Sequence, residues 1–218
     1  PISQIEGIPT NELRGLYGGD NDFDNSGVLR YVSIRHGGSN IGADNEINGL
    51  TLGGVGSGTT IEYIEVIGNK DDGIEWFGGT VNSKWIISAY CADDALDYDE
   101  GYRGKNQFII VHQNYDDADR GGEHDGGTNP EISTPFATPW FVNVTSIGNI
   151  GSRAITFRDN AGGYYYNSIF TRYSKGVDIE YLVGEEQDSY KQFEDGNLEL
   201  VGNIFHNIGS ERIFETSN

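Results

Sequence analysis

Five carboxylates, Glu75, Asp97, Asp99, Glu123 and Asp125, recur at matched places in a chain that repeats itself. They lie in Asp71-Asp72-Gly73-Ile74-Glu75-Trp76-Phe77-Gly78-Gly79, Asp93-Asp94-Ala95-Leu96-Asp97-Tyr98-Asp99-Glu100-Gly101 and Asp119-Arg120-Gly121-Gly122-Glu123-His124-Asp125-Gly126-Gly127, which start 22 and then 26 residues apart. Weaker copies are Ile47–Gly53, Ser152–Arg158 and Ser174–Glu180. Crowded oxygen donors suit a hard cation, and calcium fits them better than zinc because the only thiol, Cys91, is remote in the pattern. Asp20, Asp22 and Asp24 form a second acidic run, either a calcium loop or a polar turn. It is not an EF-hand, since it lacks Gly at the sixth position and has Tyr31 where the bidentate Glu belongs.

A period in the low twenties, with a small residue opening a short alternating strand, predicts a solenoid. Alternation puts Ile74, Leu96, Ile155 and Val177 in one inward column and Trp76, Tyr98, Phe157 and Ile179 in another. The outward columns then hold Glu75, Asp97 and Glu123, flanked by Phe77, Asp99, Asp125, Arg158 and Glu180, at about 4.8 Å per coil. Like charges so placed repel, so the row is either a solvated acidic face or a calcium site. Arg158 is read as part of an ion-pair ladder, or as a group that meets an anionic ligand or acts as a base beside calcium. His124 falls in the inward column as a core histidine, although Gly122 beside it leaves room for a turn toward the loop at 128–139. The candidates for catalysis are thus Arg158, Asp125 and His124, and those for ligand contact are Phe77 and Arg158; Phe77 would stack on a sugar or lie under a loop. Before the small residue, Asp72 and Asp94 give way to Arg120, Arg153 and Lys175. Asp94 and Arg120 are predicted to form a surface pair worth at most about 1 kcal/mol.

The elements that position these residues are a second series of strands, at Leu29–Ile34, Ile61–Ile67, Trp85–Ser88, Phe108–Val111, Phe141–Val144, Tyr166–Phe170 and Leu200–Phe205, all rich in β-branched and aromatic residues. No segment has sustained helical periodicity. The expectation is an all-β, right-handed parallel β-helix of about six to seven coils, with a propeller or jelly roll as the alternative. One domain spans 1–218, with an irregular start at 1–26 and loop insertions near 128–139 and 183–196. Fourteen basic against 34 acidic residues give a net charge of −20. This disfavours nucleic acid and anionic membranes as partners and favours cations, neutral glycans or anionic glycans bridged by cations. No apolar run is long enough to span a bilayer. The absence of methionine suggests a processed form or a fragment. Neither end offers a capping helix, so the first coil is expected to be closed by another copy, another chain or a further segment, with end-to-end self-association as one form.

The segments Gly15–Gly19, Asn45–Gly54, Asp71–Gly79 and Phe157–Gly163 resemble a large, mostly uncharacterised family of secreted or lipid-anchored right-handed β-helix proteins common in Bacteroidota and marine bacteria. The resemblance spans nearly the whole chain, which looks like the C-terminal portion of such a protein. It implies export and an extracellular or cell-surface setting, and supplies no catalytic residues. The expected function is a calcium-stabilised, non-catalytic β-helix that binds a polysaccharide or cell-surface glycan, adheres or assembles. The alternative is a calcium-dependent polysaccharide lyase or glycoside hydrolase acting on an acidic polysaccharide.

Overall fold

A computed structural model of the chain describes residues 2–5, 7–9, 11–40, 47–127 and 130–217. Asn45 and Glu46 of the family-like segment, and Thr128 at the start of the proline-rich loop, lie outside these residues. Two parallel sheets wind through the molecule. Sheet 1 stacks Leu50–Gly53, Ile74–Phe77, Leu96–Asp99, Glu123–Asp125, Arg153–Arg158, Lys175–Glu180 and Phe214–Ser217, in chain order. Sheet 2 stacks Val28–Arg35, Thr60–Ile67, Asn82–Ala89, Lys105–His112 and Trp140–Ile147, and its later rungs are the split strands Gly163–Tyr166/Ile169–Thr171 and Leu198–Val201/Ile204–His206. The chain alternates between the sheets, so each pass adds one coil of a parallel β-helix.

The sheet 2 rungs bend in the middle. Tyr31, Tyr63, Trp85, Phe108, Asn143, Asn167 and Gly202 hold one column there, all with φ between 51° and 69°. A single left-handed residue turns the strand without breaking the ladder on either side.

The coils stack in register. Ile74 pairs with Leu96, Trp76 with Tyr98, Ile155 with Val177 and His124 with Phe157. These side chains point inward and are buried, together with Ile64, Ile86, Phe141 and Tyr165 from sheet 2. The small residue that opens each sheet 1 strand has a steric origin. A Cβ at Gly73 would lie 2.6 Å from the Ala95 carbonyl oxygen, and one at Gly176 only 2.0 Å from that of Ile213. Ala95 and Ala154 occupy the same column in other coils.

Two further features lie outside the coils. Ile2–Gln4 and Leu16–Gly18 form an antiparallel hairpin whose Tyr17 packs on Phe77. The insertion at 183–196 holds a helix, Ser189–Glu194, capped by the Asp188 carboxylate, which accepts from the Lys191 and Leu182 amides at 2.6 and 2.8 Å. At six residues this helix is too short to leave a periodic signal. No described helix is long and apolar enough to cross a membrane.

Because the core is a one-dimensional stack, truncating one rung removes contacts to the coils on both sides. Ile155→Ala should lower the unfolding free energy by about 2–5 kcal/mol in denaturant titration. A loss below about 1 kcal/mol would mean that the column does not carry the stack.

Candidate functional site

The outward columns of sheet 1 are aligned by the same register. Glu75 pairs with Asp97, Asp97 with Glu123, and Glu123 with Thr156. The carboxylates point away from the core, yet they are not solvated. Glu75 is 4% exposed, Asp99 and Asp125 are 7% exposed, and Asp97 is partly buried. The N-terminal hairpin covers the first strands, and the loop after Pro130 crosses near Gly101 and Gly126.

Asp72 and Asp94, which precede the strands, complete the cluster. Parity along a strand says nothing about them because they sit in the turn before it. Asp72 Oδ1 accepts from the Asp94 amide at 2.9 Å, and Asp94 Oδ1 accepts from the Arg120 amide at 2.7 Å. Each side chain thus caps the next coil and is held inward by that bond. The expected surface pair of Asp94 with Arg120 is therefore corrected. Arg120 Nη1 stands 3.4 Å from Asp94 Oδ2, but Asp94 is 2% exposed.

Two carboxylate triads result, Asp72–Glu75–Asp97 and Asp94–Asp97–Glu123, each with one oxygen per residue within 4.8 Å of the others. Asp97 belongs to both. Asp71, Asp93 and Asp119 extend the cluster toward solvent. Burial, reinforced by the neighbouring carboxylates, pushes the pKa values of Asp72, Asp94 and Asp97 well above the ordinary range. Glu123 is also raised by burial, against the pull of Arg120 and Arg158. Such groups seek a proton or a cation. An all-oxygen, closely packed donor set fits calcium, and Asp72, Glu75, Asp94, Asp97 and Glu123 are the residues that would hold it. Asp99 and Asp125 fall outside the triads. Asp99 accepts from the Glu100 amide at 2.8 Å, and Asp125 is engaged by Arg158. Asp20, Asp22 and Asp24 belong to none of the close groups among the described residues. Asp22 instead pairs with Arg103 at 3.1 Å, and Asp24 accepts from Ser26 Oγ.

Past Glu123 the sign changes. Arg120 lies beside Arg153, and Arg153 beside Lys175, on successive coils. With Arg158, Asp178 and Glu180 they line a polar groove of 370 Å³. Arg153 is held by Glu215 at 2.5 Å, whereas Lys175 is exposed and makes no ion pair among the described residues. Arg158 grips both oxygens of Asp125, at 2.8 and 3.2 Å, and its Nη1 stands 3.1 Å from Glu123 Oε1. Burial opposes its charge, but these two carboxylates prevail and hold the guanidinium above its ordinary pKa. Arg158 thus sits in the ion-pair ladder and has no tendency to act as a base. Burial also lifts Asp159 and Glu180 nearby to about 6.

The remaining candidates are enclosed. His124 is fully buried, stacked on Tyr98 at 4.0 Å, with its Nε2 at 2.7 Å from the Tyr165 hydroxyl. Burial pushes its pKa down to about 3, so the ring is neutral. The Phe77 ring lies under Tyr17, 5.9 Å between centroids, and offers no open face.

A parallel β-helix with a carboxylate row and a groove of mixed charge along one face is the class that fold and site define. Residues 9–217 match a family described as a pectate-lyase like beta helix domain, and the chain belongs to that family. No curated protein and no solved structure matches it.

The titrating groups predict a stability maximum when divalent cations are chelated. Carboxylates with raised folded pKa values stabilise below their unfolded value near 4, and that contribution is lost as pH rises through the folded values. His124, depressed from 6.5 toward 3, stabilises above pH 6.5, and its contribution is lost as pH falls toward 3. Unfolding free energy in EDTA should therefore peak at weakly acidic pH, and His124→Phe should flatten the acid limb. Stability that rises steadily from pH 5 to pH 8 in EDTA would contradict the burial of the carboxylates.

Proposed function

We propose that the chain is a calcium-stabilised, non-catalytic β-helix that binds an acidic polysaccharide along the outer face of sheet 1. The observation that carries this reading is the continuity of the column at the coil openings, from Asp72 and Asp94, which belong to the carboxylate triads sharing Asp97, into the ladder Arg120–Arg153–Lys175. Bound calcium supplies the counter-charge that the triads lack and offers open coordination to a sugar carboxylate. The cationic ladder accepts further carboxylates of the same polymer, and Lys175 contributes a point charge with three donors. Family membership supports a carbohydrate setting, by analogy of fold. An extracellular or cell-surface location accompanies the reading, since calcium there is abundant enough for weak sites.

Non-catalysis is favoured by the state of the groups named from sequence. Arg158 is locked as a cation by Asp125 and Glu123, and His124 is sealed in the core. A second reading, a lyase, rests on Lys175, the groove cation without an ion pair among the described residues, which could take a proton from a bound uronate.

Thermal unfolding in calcium against EDTA tests the metal. A hundredfold excess of calcium over its dissociation constant adds about 2.7 kcal/mol to the folded state. Asp97→Asn, which breaks both triads, should remove most of that gain and leave a folded, more stable apo protein. A Tm unmoved by calcium would reduce the row to a buried acidic cluster. In calcium, oligogalacturonate or oligoalginate should be retained by the wild type. Retention should fall in both Asp97→Asn and Lys175→Ala. Release of an unsaturated, ultraviolet-absorbing product, lost in Lys175→Ala, would decide for the lyase.

A further inference from the structure

The bend in sheet 2 carries a second surface feature, away from the carboxylate row. At this left-handed position the later coils use Asn143, Asn167 and Gly202, residue types that tolerate positive φ. The first four coils use Tyr31, Tyr63, Trp85 and Phe108 at the same position, with φ of 56°, 56°, 56° and 62°. Bulky side chains are outliers in this conformation, and such strain concentrates at functional sites. The rings are only partly buried in return, since Tyr31 is 72% exposed, Trp85 39% and Phe108 43%. They stack along the solenoid with centroid steps of 4.5, 4.5 and 6.1 Å, nearly parallel. The fold is served at this corner by asparagine or glycine, so a row of three exposed rings and the partly buried Tyr63 is there for another reason.

The rings form one wall of a groove of 600 Å³, within the range of ligand sites. Ile87 and Ile110 line it further on, and Ser33, Thr145 and Asn143 add polar groups. Its charges are internally matched. Glu65 is engaged by Arg35 and accepts from Ser33 Oγ, and Glu62 pairs with Arg30 at 3.1 Å. A groove whose one lining carboxylate, Glu65, is matched by Arg35, on a protein of net charge −20, selects against anionic polymers and against a second copy of the chain. Because the rings stack face to face, they present to the groove their edges, the positive side of the aromatic quadrupole. Hydroxyl and ether oxygens suit those edges, and sugar hydroxyls can bond Ser33, Thr145 and Asn143, while the C–H surfaces rest on Ile87 and Ile110.

We infer that this groove is a metal-independent binding site for a neutral oligosaccharide lying along the solenoid axis across the first four coils. It is separate from the cation-dependent face of sheet 1 and does not depend on it.

Calorimetric titration in EDTA with cellohexaose, xylohexaose and mannohexaose tests the site. At least one should bind the wild type and bind Asp97→Asn equally. The double variant Tyr63→Asn/Trp85→Asn should bind at least tenfold more weakly, with a Tm equal to or above that of the wild type, because Asn tolerates the backbone. If the double variant loses its cooperative transition, Tyr31→Asn, with one stacked ring neighbour among the described residues, carries the same comparison. The inference is overturned if no neutral hexaose binds, or if the variants bind as well as the wild type. It is also overturned if the ring variants weaken only binding of hexagalacturonate or a dodecyl chain, or if they dissociate a dimer. Loss of calcium binding would leave it standing, so its failure is separable from failure of the reading for sheet 1.

Discussion

In-register stacking of parallel coils is the constraint on which every other feature depends. Each residue faces its equivalents in the coils before and after, about one strand spacing away. Apolar columns gain from this twice over, as in the run Ile74–Leu96 and in the rings of Tyr98, His124 and Phe157. Charged columns are penalised twice over, and the chain meets that penalty in two ways. In the early coils Asp72 and Asp94 bond the next coil's amide, and the residual charge is left for a cation or proton. In the later coils Arg120 and Arg158 are interleaved with Asp94, Glu123 and Asp125.

The repeat made the fold legible. Spacing of the Asp-Asp-Gly and Asp-Asp-Ala segments, with strand alternation, placed Ile74, Leu96, Ile155 and Val177 on one interior column and Glu75, Asp97 and Glu123 on one outer column, and the register agrees. Two things escaped that logic. Alternation assigns a direction but not a depth, so it leaves open whether the outward carboxylates form a solvated face or a cation site, whereas in the structure Glu75, Asp99 and Asp125 are buried. It also lapses in turns, and so Asp94 reads as half of a surface pair with Arg120. The recurrence of Asp72 and Asp94 before Gly73 and Ala95 was the available signal, since a carboxylate repeated at a coil junction has an amide of the next coil within reach.

The bend in sheet 2 shows the same limit in another form. Tyr31, Tyr63, Trp85 and Phe108 lie within stretches of high strand propensity, and nothing in their type announces a left-handed backbone. The signal is visible only down the column, where Asn143, Asn167 and Gly202 hold the equivalent place. Aligning the coils before assigning strands would have exposed it. Phe77 illustrates the converse, an outward aromatic residue whose partner, Tyr17, comes from the segment that the repeat does not describe.

Two columns on different faces change character within one coil of each other. Acid gives way to base between Asp94 and Arg120, and aromatic to asparagine between Phe108 and Asn143. The solenoid therefore has a head and a tail that differ chemically, although its backbone repeats. On the binding proposed above, a polysaccharide lying along such a rod would meet the two regions in a fixed order, and its reducing and non-reducing ends would not be interchangeable. A uniform coil lattice would thereby act as a directional ruler, responsive to the orientation of a bound chain as well as to its composition.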